Sequence, residues 1–285
     1  MSNDVDSGRL PIGVSIRTIN ARPEWWLDSA RRLDAAGYAG VWAWDHFAGR
    51  ADLTVPVVEN WTILSMAAGA TRQATIGSFV VNVMNRHPAL LARMAATLQI
   101  ASGGRHVLGI GIGGGAQEHL SYGMDYPDAP ERVKRLEEAV AVLRALWTGG
   151  PVTRESPFYP LTDAYARPVP DPPPPIIIGG ETLAGARLAG RFGDGWSAFD
   201  ENFEANLPVY LESLAESGRD RVDQRLIVGF QGGDWLGDEP IAGSPWIRAP
   251  RDEWARSREA GADGVVVLAR STADVDALVD AVERW

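Results

Sequence analysis

Residues 74–115 read ATIGSFVVNVMNRHPALLARMAATLQIASGGRHVLGIGIGGG, and this stretch contains one complete repeating unit of the fold. The apolar runs at 74–82 and 106–112 are rich in Val and Ile and predict two strands. The segment between them begins at Pro88, where proline is favoured as the first helical residue, and Gly103 follows its end. The stretch therefore predicts two parallel strands joined by a helix.

The same alternation of strand and helix runs along the rest of the chain. Division of the 285 residues among eight predicted strands gives about 35 residues per unit, the size of one β–α repeat. We therefore expect residues 1–285 to form a single (β/α)8 TIM barrel of the α/β class. Ser271 and Asp274, in capping-box spacing, are predicted to begin the last helix. The predicted strands cover residues 11–17, 40–45, 74–82, 106–112, 175–179, 194–198, 226–231 and 264–268.

Composition and charge restrict the kinds of partner. The formal net charge of −10, with no Lys/Arg-rich run, argues against nucleic acid, because neutralising phosphates requires a basic surface. The N-terminus is polar and no apolar run reaches the roughly 18 residues of a membrane span, so neither export nor membrane insertion is expected. The absence of Cys excludes disulfides and thiolate chemistry and fits a cytoplasmic protein.

Two segments interrupt the alternation of strands and helices. Residues 151–175 end in DPPPP, which cannot form a helix or a central strand, so we expect an extended surface connector there. Residues 231–250 are rich in Gly, Pro and Trp and follow the seventh predicted strand. Loops at the carboxyl end of a barrel commonly form lids, so a lid with Trp235 and Trp246 lining a substrate cavity is preferred over an inert loop.

The dipeptide Asp45-His46 is the first indication of a functional site. It closes the apolar run VWAWDH and so places a carboxylate and an imidazole at the carboxyl end of the second predicted strand. Parallel barrels bind their ligands at this end, and histidine titrates near neutral pH. The pair indicates acid–base chemistry, although turns and helix caps use the same residue types.

A glycine run follows the fourth predicted strand. Gly109, Gly111 and Gly114 match a GxGxxG pattern, but the dinucleotide-binding fingerprint belongs to a first β–α–β unit with a helix directly after it. Here the next residues, AQEHLSYGMDYPDAP, support at most one short helical turn, so a dinucleotide-binding domain is rejected. Two interpretations stay open, namely close packing at a barrel strand and a flat cofactor ring against the bare backbone of Gly111 and Gly113.

A second turn follows the β-branched strand IIIGG, where Gly179-Gly180 leads into a helix predicted to start near Thr182. Backbone N–H groups and the helix dipole favour phosphate at such a helix start. Parallel barrels often hold phosphate in the loops of their later strands. Phosphate binding is therefore preferred over a simple tight turn.

Four segments in this order resemble the bacterial luciferase-like flavin oxidoreductases, and especially the branch that uses the deazaflavin coenzyme F420. The ordered set, rather than any one segment, is specific for this superfamily. The resemblance implies a (β/α)8 barrel with extra loop segments at its carboxyl face, a homodimer, and a flavin or deazaflavin bound at that face. The segments are VWAWDHF (41–47), residues 74–115, PERVKRLEEAVAVLRALWTGG (130–150) and PPPPIIIGGETLAGARLAGRFGDGW (172–196).

The resemblance also implies roles for individual residues. Asp45 would contact the cofactor, and His46 would donate or accept the proton that accompanies hydride transfer. The segment FVVN resembles a bulge in the family's third strand, where a cis peptide bond, here Phe79–Val80, supports the bent ring. Capping is an equally good role for Asn82, and His87 is interpreted as structural. Further cofactor contacts are expected from Val81, Asn82, Gly111, Gly113, Gly179, Gly180, Glu181 and Thr182.

The predicted activity is hydride transfer between F420 and an unknown small organic substrate. Sugar-phosphate dehydrogenases of this superfamily place a carboxylate where this chain has Gly114, and Glu118 lies four residues further on. Oxidation of a sugar phosphate is therefore disfavoured. Reduction of an enone or imine by reduced F420 is the default interpretation.

Three alternative functions stay open. An FMN-dependent monooxygenase of the same superfamily would use reduced FMN and dioxygen. A non-catalytic flavin-binding barrel would keep the fold without turnover, although His46 argues against it. A sugar-phosphate isomerase would use the phosphate turn, but that function does not explain the motifs FVVN (79–82) and RHP (86–88). No metal site is predicted, because the 4 His residues are scattered without i, i+4 spacing.

Overall fold

Parallel strands close into a barrel in the computed structural model, which describes residues 9–49, 52–229 and 240–285. The strands are β1 (Ile12–Ile16), β2 (Gly40–Ala43), β3 (Thr75–Ser78), β4 (Val81–Asn82), β5 (His106–Gly111), β6 (Val152–Arg154), β7 (Leu161–Ala164), β8 (Ile176–Gly179), β9 (Gly195–Phe199), β10 (Arg225–Gly229) and β11 (Gly264–Ala269). β3 and β4 are two parts of one barrel strand, and both pair with β5. The predicted eight-stranded barrel is confirmed, and each predicted strand overlaps one barrel strand.

Helices connect the strands and cover the barrel. Pro88 begins its helix as predicted, and Ser271 caps the last one by accepting from the Asp274 N–H. No helix in the described ranges is long and apolar enough to cross a membrane. The helices are α1 (Pro23–Ala36), α2 (Asn60–Ala70), α3 (Pro88–Ala101), α4 (Ala116–Ser121), α5 (Ala129–Leu146), α6 (Leu183–Phe192), α7 (Asp200–Glu216), α8 (Pro245–Arg248), α9 (Pro250–Glu259) and α10 (Thr272–Ala281).

The connector predicted at 151–175 contains a feature that the sequence did not indicate. β6 and β7 pair antiparallel in a two-stranded sheet that is separate from the barrel. Both strands are short and consist of exposed or half-buried residues, so they lack the apolar pattern that identifies a strand. Four prolines at 172–175 then lead directly into β8.

The lid predicted at 231–250 is described only in part, since residues 231–239, with Trp235, lie outside the described residues. From Pro240 onward the chain packs against α10, and the Ile241 N–H donates to Asp274 Oδ1 at 2.9 Å. Trp246 is 6% exposed and belongs to the main hydrophobic core. It therefore packs in the core instead of lining an open substrate cavity.

The inside of the barrel is filled by side chains rather than open. Glycine makes room for the Trp42 ring, because a Cβ on Gly77 would overlap it. Phe79 packs edge-on against Trp42, with ring centroids 6.0 Å apart. Space for a ligand therefore lies beyond the strand ends, as in other parallel barrels. The interior cluster consists of Trp42, Val107, Ile177 and Val266.

Candidate active site

Aromatic side chains form a rim where barrel strands end. Trp44 follows β2, Phe79 follows β3 and Phe199 ends β9, and all three are half-buried. The ring centroids of Phe79 and Phe199 are 6.4 Å apart, and those of Trp44 and His46 are 6.3 Å apart. This aromatic rim gives an apolar surface at the carboxyl face, where the sequence predicted a site.

The peptide bond between Phe79 and Val80 is cis, as predicted. Val80 is half-buried, and a Cβ on Gly111 or on Gly179 would lie 3.0 Å from its methyl groups. A contact that short is tighter than ordinary packing, so glycine at both positions lets the strands approach Val80. Val81 is 0% exposed, and its side chain lies in the hydrophobic core rather than at the rim.

Asn82 and Gly113 pack against each other beside the rim. Asn82 is 5% exposed, and its Oδ1 accepts from the Met84 N–H at 2.9 Å. Gly113 has a φ of 78°, and a Cβ there would overlap the Asn82 amide. The structure thus shows a capping role for Asn82 and a packing role for Gly113.

Asp45 is the centre of a buried polar network. Its carboxylate accepts from Arg86 Nη1 at 2.8 and 3.0 Å, from the Asn82 N–H at 3.1 Å and from Asn85 Nδ2 at 3.0 Å. Burial raises the pKa of Asp45, and the Arg86 charge and these hydrogen bonds oppose that rise. Both carboxylate oxygens are therefore engaged within the protein.

Arg86 connects this network to the surface. Its Nη2 lies 2.5 Å from Glu59 Oε1, and Glu59 also caps α2 by accepting from the Thr62 N–H. Burial lowers the pKa of Arg86, but the charges of Asp45 and Glu59 outweigh burial and raise it. The guanidinium therefore stays charged between its two carboxylates.

His46 follows Asp45 in sequence but has different surroundings. Its Nδ1 is 3.0 Å from Glu118 Oε1, and its Nε2 has no hydrogen-bond partner among the described residues. The side chain of His46 is 18% exposed and that of Glu118 is 6% exposed. Glu118 Oε2 accepts from the N–H groups of Phe47 at 2.8 Å and Ala48 at 3.4 Å. Burial raises the pKa of Glu118, but the hydrogen bonds from His46 and from these N–H groups outweigh it and lower the pKa.

The short helix α4 carries Glu118 to this position. It has 6 residues, where the sequence predicted one short turn at most. Gly115 precedes α4 with a φ of 88°, and a Cβ there would lie 2.5 Å from Glu118 Oε1. Glycine at this position therefore allows both the left-handed backbone and the approach of the carboxylate to His46.

The next residue of α4 joins the network around Asp45. His119 is 0% exposed, and its Nε2 lies 2.8 Å from Asn85 Oδ1 and 3.2 Å from Asn82 Nδ2. Both asparagines also donate to Asp45. α4 therefore contacts His46 directly and is linked to Asp45 through the side-chain amide of Asn85.

The predicted phosphate turn leads into the exposed start of α6. The Gly180 N–H already donates to Ser197 O at 3.0 Å, and Thr182 caps the helix by accepting from the Gly185 N–H at 3.2 Å. Residues 182–184 are exposed, and their N–H groups donate to no group within the described ranges. These N–H groups, and not that of Gly180, are the donors left for an anion.

Glu181 turns its side chain away from that helix start. Its carboxylate accepts from the Phe199 N–H at 3.0 and 3.2 Å and from Asn202 Nδ2 at 3.2 Å. Burial raises the pKa of Glu181, and the nearby carboxylates of Asp200 and Glu201 add to the rise. Its side chain links the ends of β8 and β9.

The remaining histidines have structural roles. His87 caps α3 by accepting from the Ala89 N–H, in agreement with the sequence interpretation. His106 is 1% exposed, its Nδ1 donates to Ile76 O at 2.9 Å, and burial lowers its pKa to about 4. Within the described part of the chain, no cluster of three or more His, Cys, Asp or Glu side chains could hold a metal ion.

The partners of the Asp45-His46 pair were not predicted from the sequence. Asn85 and Arg86 lie at and just after the 3-10 turn that follows the third barrel strand, and that placement was their one signal. Glu118 was noted as a carboxylate near the glycine run, but its contact with His46 was not predicted because the two residues are 72 positions apart in the chain. These partners come together only through the closure of the barrel.

The fold and this site define a (β/α)8 barrel with a histidine–carboxylate pair and an aromatic rim at its carboxyl face. The profile of the luciferase-like monooxygenase family matches residues 10–231, and the chain belongs to this family.

Curated relatives agree with this membership, and a solved structure shares the fold. An F420-dependent glucose-6-phosphate dehydrogenase of Microbacterium testaceum is 36% identical over 186 residues, which cover 63% of this chain and 53% of that protein. An F420-dependent hydroxymycolic acid dehydrogenase of Mycobacterium tuberculosis is 30% identical over 212 residues, covering 73% and 59%. The chain therefore spans between half and two thirds of the length of these relatives. An F420-dependent secondary alcohol dehydrogenase, solved with an F420-acetone adduct, shares the fold with a TM-score of 0.82 at 21% identity, covering 96% of this chain and 97% of that one.

Proposed function

We propose that this protein is an F420-dependent oxidoreductase that transfers a hydride between F420 and a small organic substrate, with His46 moving the accompanying proton. The observation that carries the proposal is the environment of His46, whose Nδ1 is held by Glu118 next to the aromatic rim. The two curated relatives are named as F420-dependent dehydrogenases, which favours F420 over FMN.

The residues at the carboxyl face fit such a cofactor. The half-buried rings of Trp44, Phe79 and Phe199, with the methyl groups of Val80, offer apolar contacts to a flat ring. The free N–H groups at 182–184 and the dipole of α6 would hold a phosphate. When bound, F420 supplies or accepts the hydride.

Proton transfer then falls to His46. When its Nδ1–H donates to Glu118, a neutral imidazole has its lone pair at Nε2, where it can take a proton from a substrate hydroxyl. In the reverse direction, the protonated ring donates from Nε2. Asp45 acts as an anchor, because Arg86 and the two asparagines already occupy its oxygens.

Equilibrium titration with F420 and with FMN, followed by fluorescence, tests the cofactor. We expect saturable binding of F420 and weaker binding or none of FMN. Micromolar binding of FMN without binding of F420 overturns the proposal and favours the FMN-dependent monooxygenase.

We also propose a homodimer that uses the outer faces of α2 and α3. Within these two helices, α2 has no charged side chain and α3 has only Arg93. Their exposed residues include Met66 at 50%, Leu90 at 53% and Ile100 at 48% exposure. Water-exposed helix faces of this composition are typical of surfaces that a partner covers. Light scattering should give a dimer for the wild-type protein and a monomer for Leu90→Glu, and a wild-type monomer would contradict the assembly.

Composition supports the cellular setting we propose, which is the cytoplasm. The chain has no Cys, as expected where disulfides are rare, and its net charge of −10 disfavours nucleic acid as a partner. The proposed partners are therefore the cofactor, a small-molecule substrate and a second copy of the chain.

A further inference from the structure

We propose that Glu118 is a positioning residue that decides which nitrogen of His46 carries the proton. The inference deepens the proposed function and rests on it, because it concerns the histidine to which that function gives the proton. It adds a task for Glu118, a residue that would not itself meet the substrate.

Glu118 is placed to act through His46 rather than on a ligand. Its side chain is 6% exposed, and both carboxylate oxygens are engaged. Oε1 faces His46 Nδ1 at 3.0 Å, and Oε2 accepts from the N–H groups of Phe47 and Ala48. Backbone donors cannot move away or lose a proton, so they hold the carboxylate charged and in place.

The carboxylate fixes the tautomer of a neutral His46. An ionised carboxylate is an acceptor only, so Nδ1 must be the protonated nitrogen when the two are hydrogen-bonded. A hydrogen bond to a charged group favours that tautomer by roughly 10- to 100-fold. The lone pair is then at Nε2, the ring nitrogen with no hydrogen-bond partner among the described residues.

The backbone around Glu118 is built for this contact. Gly115 has a φ of 88°, and a Cβ on it would lie 2.5 Å from Glu118 Oε1. Any larger residue there would both strain the backbone and displace the carboxylate from Nδ1. Gly115 thus allows the hydrogen bond between Glu118 and His46 Nδ1 to form.

The test is 15N NMR of the apoprotein labelled at histidine, which reports the protonated nitrogen of each ring without any need for turnover. Loss of one set of signals in His46→Ala assigns His46. Glu118→Ala removes the acceptor, Glu118→Gln keeps its volume without its charge, and Gln117→Ala, on an exposed residue of the same helix, is the matched control.

We expect the Nδ1–H tautomer of His46 in the wild-type protein and in Gln117→Ala. In Glu118→Ala the roughly 10- to 100-fold bias should be lost and the Nε2–H form should appear. In Glu118→Gln the amide oxygen keeps the Phe47 and Ala48 N–H bonds only when the NH2 group faces Nδ1, so the Nε2–H form should appear there as well. An unchanged tautomer in both Glu118 variants, with their folds intact by circular dichroism, overturns the proposal. If F420 fails to bind while the tautomer shifts as expected, the proposed function fails and the positioning by Glu118 stands.

Discussion

Asp45 and His46 are sequence neighbours that lie in two different regions of the site. The side chain of Asp45 is 2% exposed and is surrounded by donors, whereas that of His46 is 18% exposed and keeps one ring nitrogen without a partner among the described residues. Successive side chains of an extended chain point in opposite directions, which separates the two. Asp45 is therefore a buried anchor, whereas His46 is the residue left for the proposed proton transfer.

The largest expected effect is the loss of turnover when His46 is replaced. His46→Ala is expected to lower turnover about 10²- to 10⁴-fold, because that is the usual contribution of a positioned proton carrier. Absorbance of F420 would be followed with isopropanol and glucose 6-phosphate, and that of reduced F420 with cyclohexenone, using the probe that the wild-type protein accepts. Turnover within threefold of wild type would place the proton on another group.

The ion pair of Asp45 and Arg86 should instead determine the stability of the fold. Arg86→Met leaves the buried Asp45 carboxylate without its charged partner and should lower the free energy of unfolding by about 3–5 kcal/mol. Urea unfolding measures the loss. Arg191→Met is the control, because Arg191 and Glu137 are 3.8 Å apart with side chains 52% and 31% exposed. That control should lose at most about 1 kcal/mol, and an equal loss in both variants would contradict the assignment of Asp45 as a buried anchor.

His106 differs from His46 because its side chain is fully buried. Burial lowers its pKa from 6.5 to about 4, so the unfolded chain binds a proton between these pH values that the native protein does not. The stabilisation is complete above pH 6.5 and is lost as the pH falls towards 4, by about 3 kcal/mol in all. Unfolding of His106→Asn at a series of pH values should lack this component, while His87→Asn should retain it. Identical pH dependence in wild type and His106→Asn would show that His106 titrates normally.

The smallest effect concerns the backbone of the rim. Gly111→Ala places a Cβ 3.0 Å from a Val80 methyl group and should cost about 1–3 kcal/mol through overpacking. Gly150→Ala, where a Cβ meets nothing within 4 Å, should change the free energy of unfolding by less than about 1 kcal/mol. Thermal unfolding compares the two variants. A neutral Gly111→Ala would mean that Val80 moves freely and does not set the strand spacing.

The barrel was predictable because its signals are local. Apolar runs, Pro88 at a helix start and the capping pair at Ser271 each depend on a few neighbouring residues, and the structure confirms them. The position of Asp45-His46 at a strand end followed from the apolar run before it. The cis bond at Phe79–Val80 was implied by the resemblance of FVVN to the family's third-strand bulge.

The hydrogen-bond network of the site was not predictable, because it depends on contacts between segments that are distant in sequence. His46 and Glu118 are 72 residues apart in the chain, and Asp45 and Arg86 are 41 apart. The roles of Val81 and Gly113 in packing likewise depend on which neighbours the closed barrel gives them. The hairpin of β6 and β7 was not predicted for a different reason, because its strands are short and have no buried face.

Modification of histidines by diethyl pyrocarbonate, read by mass spectrometry with and without F420, tests whether the cofactor binds beside His46. We expect partly exposed His46 and exposed His87 to react and buried His106 and His119 not to react, with F420 protecting His46 but leaving His87 reactive. Reaction of His46 at the same rate in the presence of saturating F420 would contradict the placement of the cofactor beside it.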